Sequence, residues 1–204
     1  LEYAKEDLVL ALGELGWRES DVQVSLVESP GEQRVVVEGL TGPRHLLARG
    51  GIVFEGAYSL EEESLEQAVL LSSPDSLGRG RVSDAALLAA QDSVTDLYRT
   101  HGFLAAEVRV STRETDRQDK KVKFSLSFRV VEGPQTTLRE LHVEGAAEDL
   151  SPLLDLWAEG LEGEPLNPLA VQRFLRDVLD AHREMGFLKV DAVPNNDCHD
   201  FFFT

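Results

Sequence analysis

The chain makes one local transition three times: a helix ends at a glycine, an aromatic residue follows at once, and a strand begins a few residues later. The three segments are LGELGWRESDVQVSL (12–26), LYRTHGFLAAEVRV (97–110) and AHREMGFLKVDAV (181–193). Their glycines, Gly16, Gly102 and Gly186, lie 86 and 84 residues apart. This repeat constrains the fold strongly, because each copy must be built from the same short order of helices and strands.

The helix before each glycine carries one apolar stripe that keeps its place in all three copies. The residues 15, 12 and 8 positions before the glycine are Leu1, Ala4 and Leu8, then Leu87, Ala90 and Val94, then Val171, Phe174 and Val178. Such offsets lie on one face of a helix. Ser83 is the expected N-cap of the second helix, and Asn167 followed by Pro168 that of the third. The first helix has no capping residue before it, so we expect the chain to be a piece of a longer protein.

After each corner the apolar period falls from that of a helix to that of a strand. Apolar residues alternate with polar ones over 22–26, 108–110 and 122–130. The polar stretch 115–121 separates the last two and is expected to be a turn. A hairpin with one buried face is therefore predicted in the second copy.

The segment that follows the hairpin opens the next copy. The turn VEGP (131–134) leads to a predicted strand at Leu138, Leu141 and Val143. Its counterpart in the first copy is 37–56. Ser59 and Glu62 then stand at capping-box spacing, which predicts the start of a second helix.

One complete copy therefore has the order strand, helix, helix, strand, strand. The predicted fold class is α+β, with tandem units that each form a three-stranded mixed sheet and pack two helices on one face. We expect the C-terminal part of a first unit at 1–47 and a complete second unit at 48–134. A third unit, incomplete or atypical at its end, is expected at 135–204.

The motifs of the second copy resemble a known family. They are the corner Tyr98, Gly102 and Phe103, and the VEGP turn followed by LxxLxVEG. Together with the unit order, they are similar to the polypeptide-transport-associated (POTRA) domain. Tandem copies resemble the periplasmic part of BamA- and TamA-type proteins, the outer-membrane β-barrel assembly and translocation family. Leu12 and His182 stand where the second copy has Tyr98.

The resemblance implies a location and a role. The chain is expected to be the soluble periplasmic part of an outer-membrane protein, with a membrane β-barrel in the same full-length chain. It would be a non-enzymatic relay module whose partners are unfolded outer-membrane proteins or accessory lipoproteins. The alternative is a structural or scaffolding role in another cell-envelope complex, such as a division or secretion assembly.

In the family's arrangement, the strand after the corner lies at a sheet edge and the last strand lies in the centre. An edge strand presents unpaired N–H and C=O groups, to which an extended client can add itself as a further strand. The predicted partner-binding residues are Ala105, Ala106, Glu107, Val108, Arg109 and Val110, with Val22 and Val24 in the first copy. The equivalent stretch of the third copy is 188–193. The alternative is that these strands only pack against their hairpin partners or a neighbouring domain.

Composition argues against several other classes of function. The formal net charge is −17 and the isoelectric point about 4.6, whereas nucleic-acid binding depends on lysine and arginine, so no nucleic-acid partner is expected. Patterns typical of phosphate loops, dinucleotide sites and nucleophile elbows are absent, which predicts no catalytic residue and no cofactor. Cys198 and His199 lie between two aspartates, but consecutive residues seldom converge on one ion, so no metal site is predicted.

Overall fold

The computed structural model describes residues 2–18, 20–29, 32–187 and 189. The chain divides into two compact units, one of residues 1–99 and 104–134 and the other of residues 100–103 and 135–204. Buried apolar side chains occur in both units. The three repeat boundaries expected from the sequence remain a prediction.

The first unit begins with the helix, corner and hairpin of the first copy. Helix α1 (Glu2–Glu14) leads through Gly16 to β1 (Ser20–Ser29), which pairs antiparallel with β2 (Glu32–Thr41). Gly16 has φ +91°, the left-handed conformation that commonly ends a helix. Tyr3 on α1 is 84% exposed. The described residues therefore leave much of α1 uncovered.

The complete second copy follows as five elements. They are β3 (Arg44–Glu55), α2 (Glu62–Ser72), α3 (Asp84–Thr100), β4 (Glu107–Gln118) and β5 (Lys121–Val131). The strand order is β3-β5-β4, with β3 parallel to β5 and β4 antiparallel to it. The predicted mixed sheet, with the last strand central and the strand after the corner at an edge, is confirmed.

The hairpin of the second copy is tighter than its sequence predicted. Its strands are separated only by residues 119–120, whereas a turn over 115–121 was expected. A bulge between Glu114 and Asp116 absorbs one extra residue, so the polar strand β4 stays paired almost to the tip.

One face of the three-stranded sheet is buried. The inward side chains of β5 are Val122, Phe124, Leu126, Phe128 and Val130, and all five are buried. The buried residues of α2 and α3 include Leu65, Val69, Ala90, Val94 and Tyr98. Full burial of each large apolar side chain stabilises the fold by about 1.5–3 kcal/mol. The outward residues of β5 are mostly polar, so both helices cover the same face.

Tyr98 of the corner and Glu132 of the VEGP turn belong to one hydrogen-bond network. Glu132 Oε1 accepts hydrogen bonds from Tyr98 Oη at 3.1 Å, from the Tyr58 amide at 2.7 Å and from the Ser59 amide at 2.9 Å. The Ser59 hydroxyl donates to Oε2 at 2.7 Å. The two motifs therefore join the end of α3 and the end of β5 to the loop before α2.

The pKa values of both groups reflect this network. Burial raises the pKa of the Tyr98 phenol well above its ordinary value, and the neighbouring Glu132 carboxylate raises it further. Burial alone would raise the pKa of Glu132, but the hydrogen bonds from Ser59, Tyr58 and Tyr98 outweigh it and lower that pKa. The folded state therefore favours a protonated phenol donating to an ionised carboxylate.

Ser59 does not cap α2, contrary to the prediction from its spacing. Helix α2 begins at Glu62 with Glu61 as the N-cap residue. The Glu61 side chain makes no capping hydrogen bond to the first turn. The Ser59 hydroxyl donates to Glu132 instead. Glu62 and Glu63 in the first turn still favour the helix start through its dipole.

The other two predicted caps are confirmed. Ser83 Oγ accepts a hydrogen bond from the Ala86 amide at 3.2 Å at the start of α3. Asn167 Oδ1 accepts from the amides of Leu169 and Ala170 at the start of α5 (Pro168–Glu184). Each such cap contributes about 1 kcal/mol.

The second unit contains two helices and no extended strand among its described residues. Helix α4 (Ser151–Glu159) packs against α5 through a core of Leu150, Leu154, Ala158, Phe174 and Val178. The prediction of a strand from Leu138 to Val143 is wrong, because these residues form no strand. The Leu138 amide donates to Glu164 O and its carbonyl accepts from Gly163, so this backbone pairs locally with the connection between the helices. Of the predicted strand 188–193, only Lys189 lies within the described residues.

Gly102 sits where no other residue fits. Its φ is +87°, and an added Cβ would lie 2.5 Å from Thr136 O and 3.1 Å from Pro165 Cβ. The Thr136 amide donates to the Gly102 carbonyl at 2.8 Å, within the second unit. Gly186 has a similar φ of +96°, but no described atom lies within 4 Å of its Cβ position. The corner of the second copy is thus constrained by contact as well as by conformation.

Candidate functional site: the outer edge of β4

Strand β4 has a pairing partner on one side only. Its ladder with β5 runs from Glu107 opposite Val131 to Gln118 opposite Lys121. In the part of the chain that the structure describes, no strand pairs with the other side of β4. That side is a candidate site for another strand.

The hydrogen bonds of β4 show which residues face outward. The Val110 amide donates to the side chain of Gln91 on α3, at 3.2 Å from Oε1, and so points away from β5. Backbone direction alternates along a strand, so Val108 and Thr112 also present their N–H and C=O groups outward. The residues between them turn these groups toward β5.

The predicted binding stretch 105–110 is only partly at the edge. Ala105 and Ala106 precede β4, which begins at Glu107. Ala106 is buried, and Ala105 lies against the turn at Gly133. Both residues therefore precede the edge strand, and their role in partner binding stays a prediction.

Within the strand itself, the four predicted residues divide into two pairs. Glu107 and Arg109 direct their backbone groups toward β5, and their exposed side chains approach each other at 3.8 Å. Val108 and Val110 direct their backbone groups outward, with Val108 buried through its side chain. The accessible edge continues beyond the predicted range, because the residues from Ser111 to Gln118 are almost all exposed.

Gln91 was not predicted from the sequence. It lies half-buried on α3 beside the apolar stripe, between Leu87 and Val94. Its position at the margin of that stripe predicts only that it faces partly inward. Nothing in the helical period indicates that its carbonyl reaches a strand amide 19 residues away.

The opposite edge of the sheet, along β3, is covered at its start. The Leu47 amide donates to Gly80 O at 2.8 Å, and the Val82 amide donates to His45 O at 3.2 Å. Leu46 and Arg81 form an antiparallel bridge at the same place. The connection between α2 and α3 therefore already occupies the first residues of this edge.

The first copy presents a comparable strand. Val22 on β1 is buried and Val24 is half-buried, and β1 pairs only with β2 in the described ranges. Counted from the corner glycine, Val24 corresponds to Val110 and Lys5 corresponds to Gln91. An ammonium group cannot accept an amide hydrogen bond. The hydrogen bond from the Val110 amide to Gln91 therefore has no equivalent between Val24 and Lys5.

Other chemistry has little support in the described residues. No group of three or more His, Cys, Asp or Glu residues among them is arranged to hold a metal ion. No helix in the same ranges is long and apolar enough to cross a membrane. Cys198 and His199 lie outside the described residues.

Comparison with known proteins gives one family match. Residues 50–133 match the POTRA family, described as "Surface antigen variable number repeat". This range runs from the second half of β3 to the VEGP turn and so contains the β4 edge and Gln91. No curated protein sequence matches the chain.

Several solved structures are similar to the chain at low identity. POTRA3-5 of Haemophilus influenzae BamA is 16% identical, with 98% of this chain and 76% of that chain covered and a TM-score of 0.45. POTRA1-2 of the periplasmic domain of Omp85 from Anabaena is 19% identical, with coverage of 76% and 89% and a TM-score of 0.42. CdiB from Escherichia coli is 20% identical over 95% of this chain and 31% of that one, with a TM-score of 0.30.

Proposed function

We propose that this chain, whose residues 50–133 match the POTRA family, is a periplasmic binding and relay module of an outer-membrane protein assembly or translocation factor. It engages unfolded outer-membrane proteins or accessory lipoproteins by adding one of their strands to the outer edge of β4. The observation that carries this proposal is the exposed stretch of β4 from Thr112 to Gln118, which no described strand covers.

Recognition at such an edge depends on the backbone. Each main-chain hydrogen bond contributes about 0.5–1.5 kcal/mol net, and ordering an extended client costs about 1–2 kcal/mol per residue. The balance favours weak and reversible binding with little demand on the client's side chains. That combination suits a module that receives many clients and passes them on.

The side chains of the edge limit unwanted pairing. Arg113, Glu114, Asp116 and Arg117 give the outer half of β4 charges of both signs, and Arg117 and Glu114 form an ion pair at 2.7 Å. Charged edge strands resist aggregation with other sheets. The bulge between Glu114 and Asp116 further shortens the straight part of the edge. Short client segments are therefore favoured over continuous sheet growth.

Thr112→Pro tests the proposal directly. Proline removes the outward N–H of an exposed residue and leaves the ladder to β5 intact, so the fold should persist. We expect binding of a ten-residue peptide with alternating apolar and polar residues to weaken about tenfold or more, as measured by fluorescence anisotropy. Thr112→Val, which keeps the N–H, is the matched control and should bind as the wild type does. Equal affinity of all three proteins, with unchanged circular dichroism, would contradict strand addition at β4.

A further inference from the structure

We propose that the Gln91 side chain occupies the hydrogen-bonding position that a client strand would take at the Val110 amide. Strand addition along β4 then begins at Thr112 and extends past Val110 only when the Gln91 side chain is displaced. This inference rests on the proposed function and names the residue that sets how far a client can pair. It makes Gln91 a specificity-determining residue of the edge.

The geometry at Val110 is that of a paired strand. The acceptor is an amide oxygen, Gln91 Oε1, 3.2 Å from the Val110 nitrogen. A client strand would place a backbone amide oxygen at the same position. The two acceptors have the same chemistry and compete for one N–H group, so the client cannot bond Val110 while Gln91 does.

The helix that carries Gln91 is held in place. Ser83 caps its first turn, and the Tyr98 phenol in its last turns donates to Glu132. Ala90 and Val94, on either side of Gln91, are fully buried. Release of Val110 therefore requires rotation of the Gln91 side chain rather than movement of α3.

Competition of this kind discriminates by length. A short strand that pairs from Thr112 toward Gln118 forms only new bonds. A longer strand that also covers Val110 must break one bond for the bond it gains there, and it must fit beside a displaced side chain. Gln91 therefore lowers the affinity for long strands and leaves short ones unaffected.

The cap is specific to the second copy by sequence. The positions that correspond to Gln91 are Lys5 in the first copy and Leu175 in the third. Neither side chain has an oxygen that could accept from an amide. Of the three copies, the second alone therefore carries a side chain at this position that can accept a hydrogen bond from a strand amide.

The test compares Gln91→Ala and Gln91→Glu with the wild type. The probes are two synthetic alternating peptides, of ten and five residues, titrated under the same conditions. Gln91→Ala should bind the longer peptide about three- to tenfold more tightly and the shorter peptide unchanged. Gln91→Glu should bind the longer peptide more weakly, because a carboxylate is a stronger acceptor. The Val110 amide should exchange faster with solvent in Gln91→Ala and more slowly in Gln91→Glu.

The outcomes separate this inference from the proposed function. Peptide binding that is identical in wild type and Gln91→Ala, at both lengths, overturns the inference and leaves strand addition standing. Binding of neither peptide to the wild type or to either variant overturns the proposed function and this inference with it. A gain that is equal for both lengths also overturns it, because displacement at Val110 affects only the longer strand.

Discussion

The first and second copies share one sequence pattern but differ in how the pattern is secured. Helix α3 is buried along its stripe and ends in a tyrosine that bonds a carboxylate, whereas α1 is largely exposed and has Leu12 at that place. The edge strand of the second copy is capped by Gln91, whereas the first copy has Lys5 there. The spacing of apolar residues sets the order of helices and strands in both copies. Single polar side chains make the difference: Tyr98 bonds Glu132 in the second copy, and Gln91 bonds the edge amide of Val110.

The largest expected effect separates the glutamates of the two VEG segments, Glu132 after β5 and Glu38 within β2. Glu132→Ala removes the acceptor of four hydrogen bonds, so it should cost about 2–4 kcal/mol of unfolding free energy. Glu38, at the same place in the first copy, is exposed. Its replacement by alanine should change stability by less than about 0.5 kcal/mol. Urea unfolding of both variants measures the difference, and equal losses would show that the second copy is not locked through this carboxylate.

Alanine at two corner glycines should reveal the next difference. Gly102→Ala meets both a left-handed φ and the Thr136 carbonyl, so we expect a loss of about 3 kcal/mol. Among the described atoms, a Cβ at Gly186 meets no neighbour, so Gly186→Ala adds conformational strain alone and should lose about 1 kcal/mol. Thermal unfolding of the two variants checks the ranking. A loss at Gly186 as large as at Gly102 would contradict the contact assigned to the second corner.

Acid should reduce the stability that the Glu132 carboxylate gives to the second copy. The pKa of Glu132 is lowered in the folded state, so its contribution is present above its unfolded value of about 4.3 and is lost as the pH falls through the lower folded value. The wild type should be more stable than Glu132→Gln at pH 7, and this difference should shrink as the pH falls below about 4.3. Urea unfolding across this range provides the measurement. A difference that stays constant with pH would mean that the charge of Glu132 plays no part.

The smallest expected effect lies in the edge amides. Val110 should exchange with solvent about five- to tenfold more slowly than Val24, because the Val110 amide donates to the Gln91 side chain whereas Lys5 stands at the corresponding helix position. Gln91→Ala should remove the difference by accelerating Val110 alone. Hydrogen exchange followed by NMR reports both residues in one sample. Slow exchange of Val110 in the variant would assign its protection to something other than Gln91.

Whereas the edge position of its strand was expected only from the family resemblance, the element order of the second copy was predictable because it depends on local period. The caps at Ser83 and Asn167 were predictable for the same reason, since their acceptors and donors lie within one turn. Ser59 was mispredicted because its partner, Glu132, lies 73 residues away. The pairing of Tyr98 with Glu132 had a usable signal, because both motifs occur together only in the second copy.

Other features depend on partners that a single segment does not reveal. The segment from Leu138 to Val143 has the apolar residues of a strand, but its first residue, Leu138, bonds through its backbone to the connection between α4 and α5. The strand was predicted to begin two residues too early, because Ala105 and Ala106 have the size of small strand residues yet precede β4. From the sequence, Gln91 is an ordinary polar residue at the margin of the apolar stripe of α3. Its role follows only from the position of α3 beside β4.

The central claim is that clients add to the outer edge of β4. An NMR titration of the chain with a β-strand peptide from a membrane-barrel protein tests it most directly. We predict that the amides of Thr112 and the following outward residues shift and become protected first, with Val110 responding only to the longer peptide. Intermolecular contacts between the two backbones should confirm a paired strand. Shifts confined to α1 or to the second unit, with the β4 amides unchanged, would contradict the account.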